Sequence, residues 1–150
     1  MSSVVITGGT GLVGTSLAKL LVSQGYTVSI LSRNPAAHKS PSPSIRYAAW
    51  NITDQTISEE AIRGAKFIIH LAGAGVADKR WTERRKREIR ESRVNSTELL
   101  LKALAKIPNQ VEAVVSASAI GWYRETTAAK SVETDPPDTG FLGETCRLWE

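Results

Sequence analysis

The 150-residue sequence predicts an α/β domain, a doubly wound parallel sheet with helices on both faces. Three observations predict it. Short β-branched runs alternate with segments of helical periodicity along the chain. A glycine series, Gly8, Gly11 and Gly14, sits where the first such run gives way to the first helix. An apolar content of 41% fills one core at this length.

The elements follow in order. Val4-Val5-Ile6 reads as a strand buried on both faces, because it is β-branched throughout and soon bounded by glycine. Leu12 to Val22 repeats apolar residues at helical spacing, and Gly25 punctuates its end. Thr27 to Leu31 is the second strand. Asn34 to Ser44, with three prolines and three serines, is a loop. Ile45 to Trp50 is the third strand, Ser58 to Arg63 a short helix, and Lys66 to Leu71 the fourth strand, ending near Gly73 and Gly75. Thr82 to Ile107 is the longest helix, charged in its first half, apolar at every third or fourth position in its second, and stopped by Pro108. Val111 to Ala117 is the fifth strand. A polar loop through Asp135-Pro136-Pro137-Asp138 leads to a last helical segment reaching Glu150.

Composition removes several classes. No apolar run approaches the roughly 20 residues of a membrane span. Met1-Ser2-Ser3 offers no basic leader, one cysteine makes no internal disulfide, and two histidines with that cysteine make no metal spacing. The expectation is a soluble, cytoplasmic protein without a metal. Its formal charge of +4 is concentrated between Asp78 and Arg93, where Lys79, Arg80, Arg84, Arg85, Lys86, Arg87, Arg90 and Arg93 gather; the rest of the chain sums to zero.

The G-x-x-G-x-x-G series carries the clearest chemistry. A tight turn must bring backbone against a pyrophosphate, and side chains there would block the approach. Amides at the start of the following helix then face the anion, aided by the helix dipole. The strand–helix–strand setting makes this a dinucleotide-binding signal rather than a plain glycine turn. At the end of the second strand, Ser32-Arg33 stands where an NAD site offers a carboxylate, and no acid follows until Asp54. Arginine suits a 2′-phosphate, which it grips bidentately. NADP(H) is therefore expected over NAD(H), with Arg33 as a solvated loop cation the other reading.

Thr7-Gly8-Gly9-Thr10-Gly11-Leu12-Val13-Gly14 resembles the fingerprint of the extended and atypical short-chain dehydrogenase/reductases, and Ile69-His70-Leu71-Ala72-Gly73 resembles their fourth-strand signature. More narrowly, Ala77 to Thr82, Ser92-Arg93, Ser116 to Ala119 with Tyr123, and Cys146-x-x-Trp149-Glu150 are similar to a group called nucleoside-diphosphate-sugar epimerases, the SDR39U1 epimerase family. The resemblance runs from residue 4 to 150 and implies a Rossmann-type NAD(P)-binding domain over residues 1–150. Relatives of that kind are about twice as long, so the chain is expected to be the cofactor half of a larger enzyme whose C-terminal, substrate-binding part is absent.

The resemblance also implies roles. Gly8, Gly11, Leu12, Val13 and Gly14 would surround the pyrophosphate, Ser32 and Arg33 the adenosine end, and Leu71, Ala72 and Gly73 the adenine or ribose. Ser118 matches the serine after the fifth strand that hydrogen-bonds the reacting oxygen, a loop-capping hydroxyl being the plainer reading. The superfamily's Tyr-x-x-x-Lys pair is not matched: its lysine position falls on Cys146 and its tyrosine position on Leu142. Tyr123 is then a substitute acid or a ring that lines the pocket, Cys146 a packed helix residue, and His70 a packing residue. Arg93 replaces the asparagine common in sugar-nucleotide epimerases and is a candidate cofactor or diphosphate contact. The other cations read as a solvated helix surface or as neighbours of a diphosphate, with nucleic acid the least favoured partner. The sum is an NADP(H)-dependent oxidoreductase or epimerase for a nucleotide sugar or similar small polar substrate, with no membrane partner and room for a homodimer. A non-catalytic NADPH-binding regulator or sensor is the alternative.

Overall fold

The computed structural model describes residues 2–123 and 130–150. The chain runs β1 (Ser3–Thr7), α1 (Leu12–Ser23), β2 (Thr27–Ser32), β3 (Ile45–Asn51), β4 (Thr56–Ile57), α2 (Glu59–Arg63), β5 (Phe67–His70), α3 (Glu83–Lys106), β6 (Ala113–Ser116) and α4 (Phe141–Trp149). Short 3-10 turns occupy Pro35–Ala37 and Ile120–Trp122.

One six-stranded sheet results, in the order β4-β3-β2-β1-β5-β6. All the neighbouring pairs are parallel except β3 with β4. The five anticipated strands therefore stand where the alternation placed them, and β4 is the addition. It arises from a local reversal: the Asn51 side-chain carbonyl accepts the amides of Thr53 at 2.9 Å and Asp54 at 3.3 Å, and Gln55 turns the chain at φ 52°. Two residues are too few to leave a period-2 signal, which is why the sequence hides it.

Strand alternation divides the apolar residues between two cores. Val4, Ile6, Val28 and Ile30 face α1, where Ala18 is buried and Leu17, Leu21 and Val22 pack beside it. Val5, Leu31 and Ile68 face the other side, under Ile62 of α2 and Leu99, Leu100 and Ala103 of α3. Both helices on that side begin with side-chain caps. Ser58 accepts the Ala61 amide at 3.3 Å, and Thr82 accepts the Arg85 amide at 3.2 Å. β6 is an edge strand and leaves Val114 and Val115 exposed. Among the described residues no helix is long and apolar enough to cross a membrane.

Candidate functional site

Parallel register brings the ends of four strands to one edge. Thr7 pairs with Leu31 and with His70, and His70 pairs with Ser116. The loops after β1, β2, β5 and β6 therefore leave the sheet side by side. The chain winds outward from β1 through β2 and β3, then returns to the other side of β1 with β5. Between β1 and β5 lies the switch point, where open α/β sheets form a ligand crevice.

The glycine turn sits there, and the structure refines why glycine is needed. Gly8 has φ +69°, and a Cβ on it would stand 2.8 Å from the Leu71 carbonyl carbon and 2.9 Å from the Ala72 amide. A Cβ on Gly14 would come within 2.5 Å of the Gly8 oxygen and the Gly9 Cα. Both are thus required by protein backbone, at the close approach of β1 to β5 and of α1 to its own turn. Only Gly11, exposed and with 3.3 Å between an added Cβ and the Gly8 oxygen, keeps the simpler purpose of leaving the face bare. Gly11 is also the N-cap of α1, which has no side-chain cap and no acidic residue in its first turn. Leu12 and Val13 project from that turn almost unpacked, at 89% and 65% exposure. Together these make a positively polarised helix start, bounded by apolar side chains and open to an anion. The donor set fits a pyrophosphate.

Behind the turn lies a buried polar network. Thr7 Oγ1 accepts the amides of Leu71 and Ala72, each at 3.2 Å, so its own proton goes to His70 Nδ1 at 2.6 Å. His70 Nε2 then carries the ring proton and donates to Ser96 Oγ at 3.1 Å, which in turn donates to the Arg93 carbonyl at 2.9 Å. The ring is held neutral, and burial lowers its pKa from 6.5 to about 4. The network joins β1, β5 and α3 beneath Leu71 and Ala72. His70 packs, as the sequence suggested.

Ser32 ends β2 nearly buried and Arg33 is exposed beside it. Gly73 lies against the Arg93 guanidinium, 2.9 Å from where its Cβ would be. Arg93 itself donates from Nη1 to the carbonyls of Ala74 at 3.0 Å and Ile89 at 2.9 Å, and its Cζ lies 4.9 Å from the centre of the Trp149 ring. It fastens the loop after β5 to α3 and α4.

The basic segment also divides. Lys79, Arg80, Arg84 and Arg87 are exposed, but Arg85 is buried at 7% exposure. Its guanidinium bonds the Gly75 carbonyl and pairs with Glu88 at 2.7 Å and Asp78 at 3.6 Å. That contact holds Glu88 below its ordinary pKa. Nothing in the run of cations distinguishes Arg85 except its place on the same helix face as Ile89 and Ser96.

After β6 an open cleft of about 470 Å³ is lined by Ser118, Ala119, Ile120, Trp122, Tyr123, Glu133 and Glu150. Ser118 and Tyr123 thus share one cleft. Ser118 Oγ donates to the Glu150 carboxylate, a partner 32 residues away that no sequence spacing reveals. Cys146 lies beneath, 3% exposed, its Sγ toward the Ala119 carbonyl at 3.8 Å. Burial, then the neighbouring Glu150, pushes its thiol pKa up, which favours the neutral thiol over the nucleophilic thiolate.

A parallel sheet with a glycine turn at its switch point and an uncapped helix start defines a Rossmann-like NAD(P)-binding fold. The chain belongs to the NAD dependent epimerase/dehydratase family, whose pattern it matches over residues 4–141. It is 33% identical over 150 residues to the epimerase family protein YfhF of Bacillus subtilis, covering 99% of this chain and 48% of that protein. The human epimerase family protein SDR39U1 (isoform 2), solved with NADPH, is similar at a TM-score of 0.78 and 27% identity, over 98% of this chain and 47% of that one. MoeE5, solved with UDP-glucose and NAD, is similar at a TM-score of 0.76 and 25% identity, over 99% and 48%. The chain spans about half the length of the relatives it matches.

Proposed function

We propose that these 150 residues form the NADP(H)-binding domain of an oxidoreductase or epimerase acting on a nucleotide sugar or a similar small polar substrate. The observation that carries it is the switch-point turn, where Gly8 is pressed on Leu71–Ala72 and the α1 start is left bare for a pyrophosphate. Gly11, Leu12, Val13 and Gly14 border that group, while Leu71, Ala72 and Gly73 let the chain pass the adenosine closely. Arg33, exposed at the end of β2 with no carboxylate beside it, favours a cofactor carrying a 2′-phosphate. The human relative solved with NADPH and the relative solved with UDP-glucose support the two halves of the reading.

When bound, the nicotinamide supplies a hydride acceptor or donor. The chain's own residues do the rest. Ser118 donates its own hydrogen to the Glu150 carboxylate, which orients the hydroxyl so that its oxygen accepts the hydrogen of the reacting hydroxyl group. Tyr123 lines the same cleft and positions the substrate. Arg93 acts less as a direct cofactor ligand than as a brace, since Ala74 and Ile89 occupy one arm of its guanidinium.

Titration of nicotinamide fluorescence with each cofactor tests the first half. NADPH should bind at least about tenfold more tightly than NADH, and Arg33→Ala should erase most of that ratio. Equal affinities in the unaltered protein would refute the NADP(H) assignment. For the second half, the protein at the full length of its relatives is given a panel of nucleotide sugars and followed both at the nicotinamide absorbance band and for epimerised product. Cofactor binding with no turnover across the panel would refute the enzymatic part.

A further inference from the structure

Beyond Arg33, the structure assigns a second residue to cofactor selection: we infer that His38 is a positioning residue that holds the Arg33 turn and so sets the preference for NADP(H) over NAD(H). The inference rests on the proposed NADP(H) reading.

The geometry begins at Ser32, the last residue of β2. Its Oγ accepts the Asn34 amide at 3.2 Å, closing a small turn whose middle residue is Arg33. The hydroxyl keeps its proton for a second partner, and His38 Nε2 stands 3.0 Å away. His38 reaches back because the 3-10 turn Pro35–Ala37 reverses the chain, with the Ala37 amide on the Asn34 carbonyl and the His38 amide on the Pro35 carbonyl, both at 3.2 Å. On its other side the imidazole stacks on Tyr47 of β3, ring centres 4.7 Å apart and planes 21° apart. The ring is clamped between two strands.

The clamp lies beside the cofactor turn. Tyr47 pairs with Ile30, and a Cβ on Gly9 would stand 2.7 Å from the Ile30 side chain. Ile30 and Ser32 point to the same face of β2. Gly9, Ile30, Ser32 and His38 therefore follow one another along one side of the sheet.

An exposed arginine has a long, mobile side chain, and gripping a phosphate costs it that freedom. Fixing the backbone on both sides of Arg33 lowers the cost before the ligand arrives. His38 supplies half of that fixing, because it orients the hydroxyl that receives the Asn34 amide. Without it, Ser32 Oγ is free to rotate and the Arg33 turn loosens. An adenosine lacking the 2′-phosphate would not register the change.

Three variants test this. His38→Phe keeps the stack on Tyr47 and removes the contact to Ser32. It should weaken NADPH binding about five- to tenfold while changing NADH binding less than about twofold. His38→Gln, whose carboxamide still reaches Ser32 Oγ, should stay within about twofold of the unaltered protein for both cofactors. On an Arg33→Ala background, His38→Phe should have no further effect on NADPH. Equal weakening of both cofactors, no weakening of either, or loss in the Gln variant matching that of the Phe variant would each overturn the role of His38. If Arg33→Ala leaves the NADPH-to-NADH ratio unchanged, the NADP(H) reading itself fails, and this inference falls with it.

Discussion

Acid should loosen this fold through His70. The ring is 1% exposed and accepts the Thr7 hydroxyl at Nδ1, so the folded protein has no place for a second ring proton. Protonation would set Nδ1–H against the Thr7 hydroxyl, whose oxygen already serves two amides. The folded-state pKa of about 4 lies below the ordinary 6.5 of an unfolded chain. Between these values the unfolded state binds the proton and the folded state does not, so stability falls as pH drops below 6.5 and the loss is complete near pH 4. Each pH unit in that window removes up to about 1.4 kcal/mol, and the whole window about 3 kcal/mol. That is a large share of the 5–15 kcal/mol typical of domains. Carboxylates titrate in the same range, so a reference is needed. His70→Asn keeps an acceptor for Thr7 and cannot titrate. Urea unfolding of both proteins from pH 7.5 to pH 4 should show the unaltered protein ahead at pH 7.5, with its lead shrinking by about 3 kcal/mol on acidification. Parallel stability curves across that window would refute the reasoning.

Three further outcomes follow from the packing. Gly14→Ala drives a Cβ into the backbone of Gly8 and Gly9, which no side-chain movement relieves, so α1 must shift. A loss of about 2–4 kcal/mol is expected in urea unfolding, together with loss of NADPH binding. Gly11→Ala, whose Cβ would stand 3.3 Å from the Gly8 oxygen, should cost less than about 1 kcal/mol of stability while weakening the cofactor more. Arg85→Ala removes the bond to the Gly75 carbonyl but strands no buried charge, because Asp78 and Glu88 are both exposed. Its cost should be about 1–3 kcal/mol, below the 3–5 of a broken buried pair, and proteolysis between Gly75 and Arg80 should quicken.

How far the site was legible depended on the distance between its parts along the chain. The glycine turn is local: eight consecutive residues, a strand before and a helix after, fix its conformation and its place. Arg33, proposed for the cofactor's 2′-phosphate, stands out for the same reason, as the residue that follows a recognisable strand. Ser118 and Glu150 were not legible as a pair, since 32 residues separate them and only the return of α4 toward the end of β6 joins them. His38 sat in a stretch of prolines and serines with no periodicity, where its stack on Tyr47 left no trace. Arg85 was hidden in plain view, one cation among eight, until the orientation of α3 turned it inward. Even the glycines changed meaning: spacing foretold that side chains were excluded, and the structure showed that at two of three positions a neighbouring strand or turn excludes them.

The sequence by itself determined the parallel α/β sheet, the succession of its five main strands along the chain and the position of its glycine turn. Those properties depend on β-branched runs, helical spacing and glycine placement, which act within a few residues. Only the tertiary structure decided which polar groups meet. Strand register brought Thr7 to His70, the packing of α3 added Ser96, and the return of α4 set Glu150 beside Ser118, while sheet position left β6 an exposed edge. These are contacts between residues far apart in the chain, and local patterning carries no term for them; they exist only once burial in a common core has fixed the elements against one another.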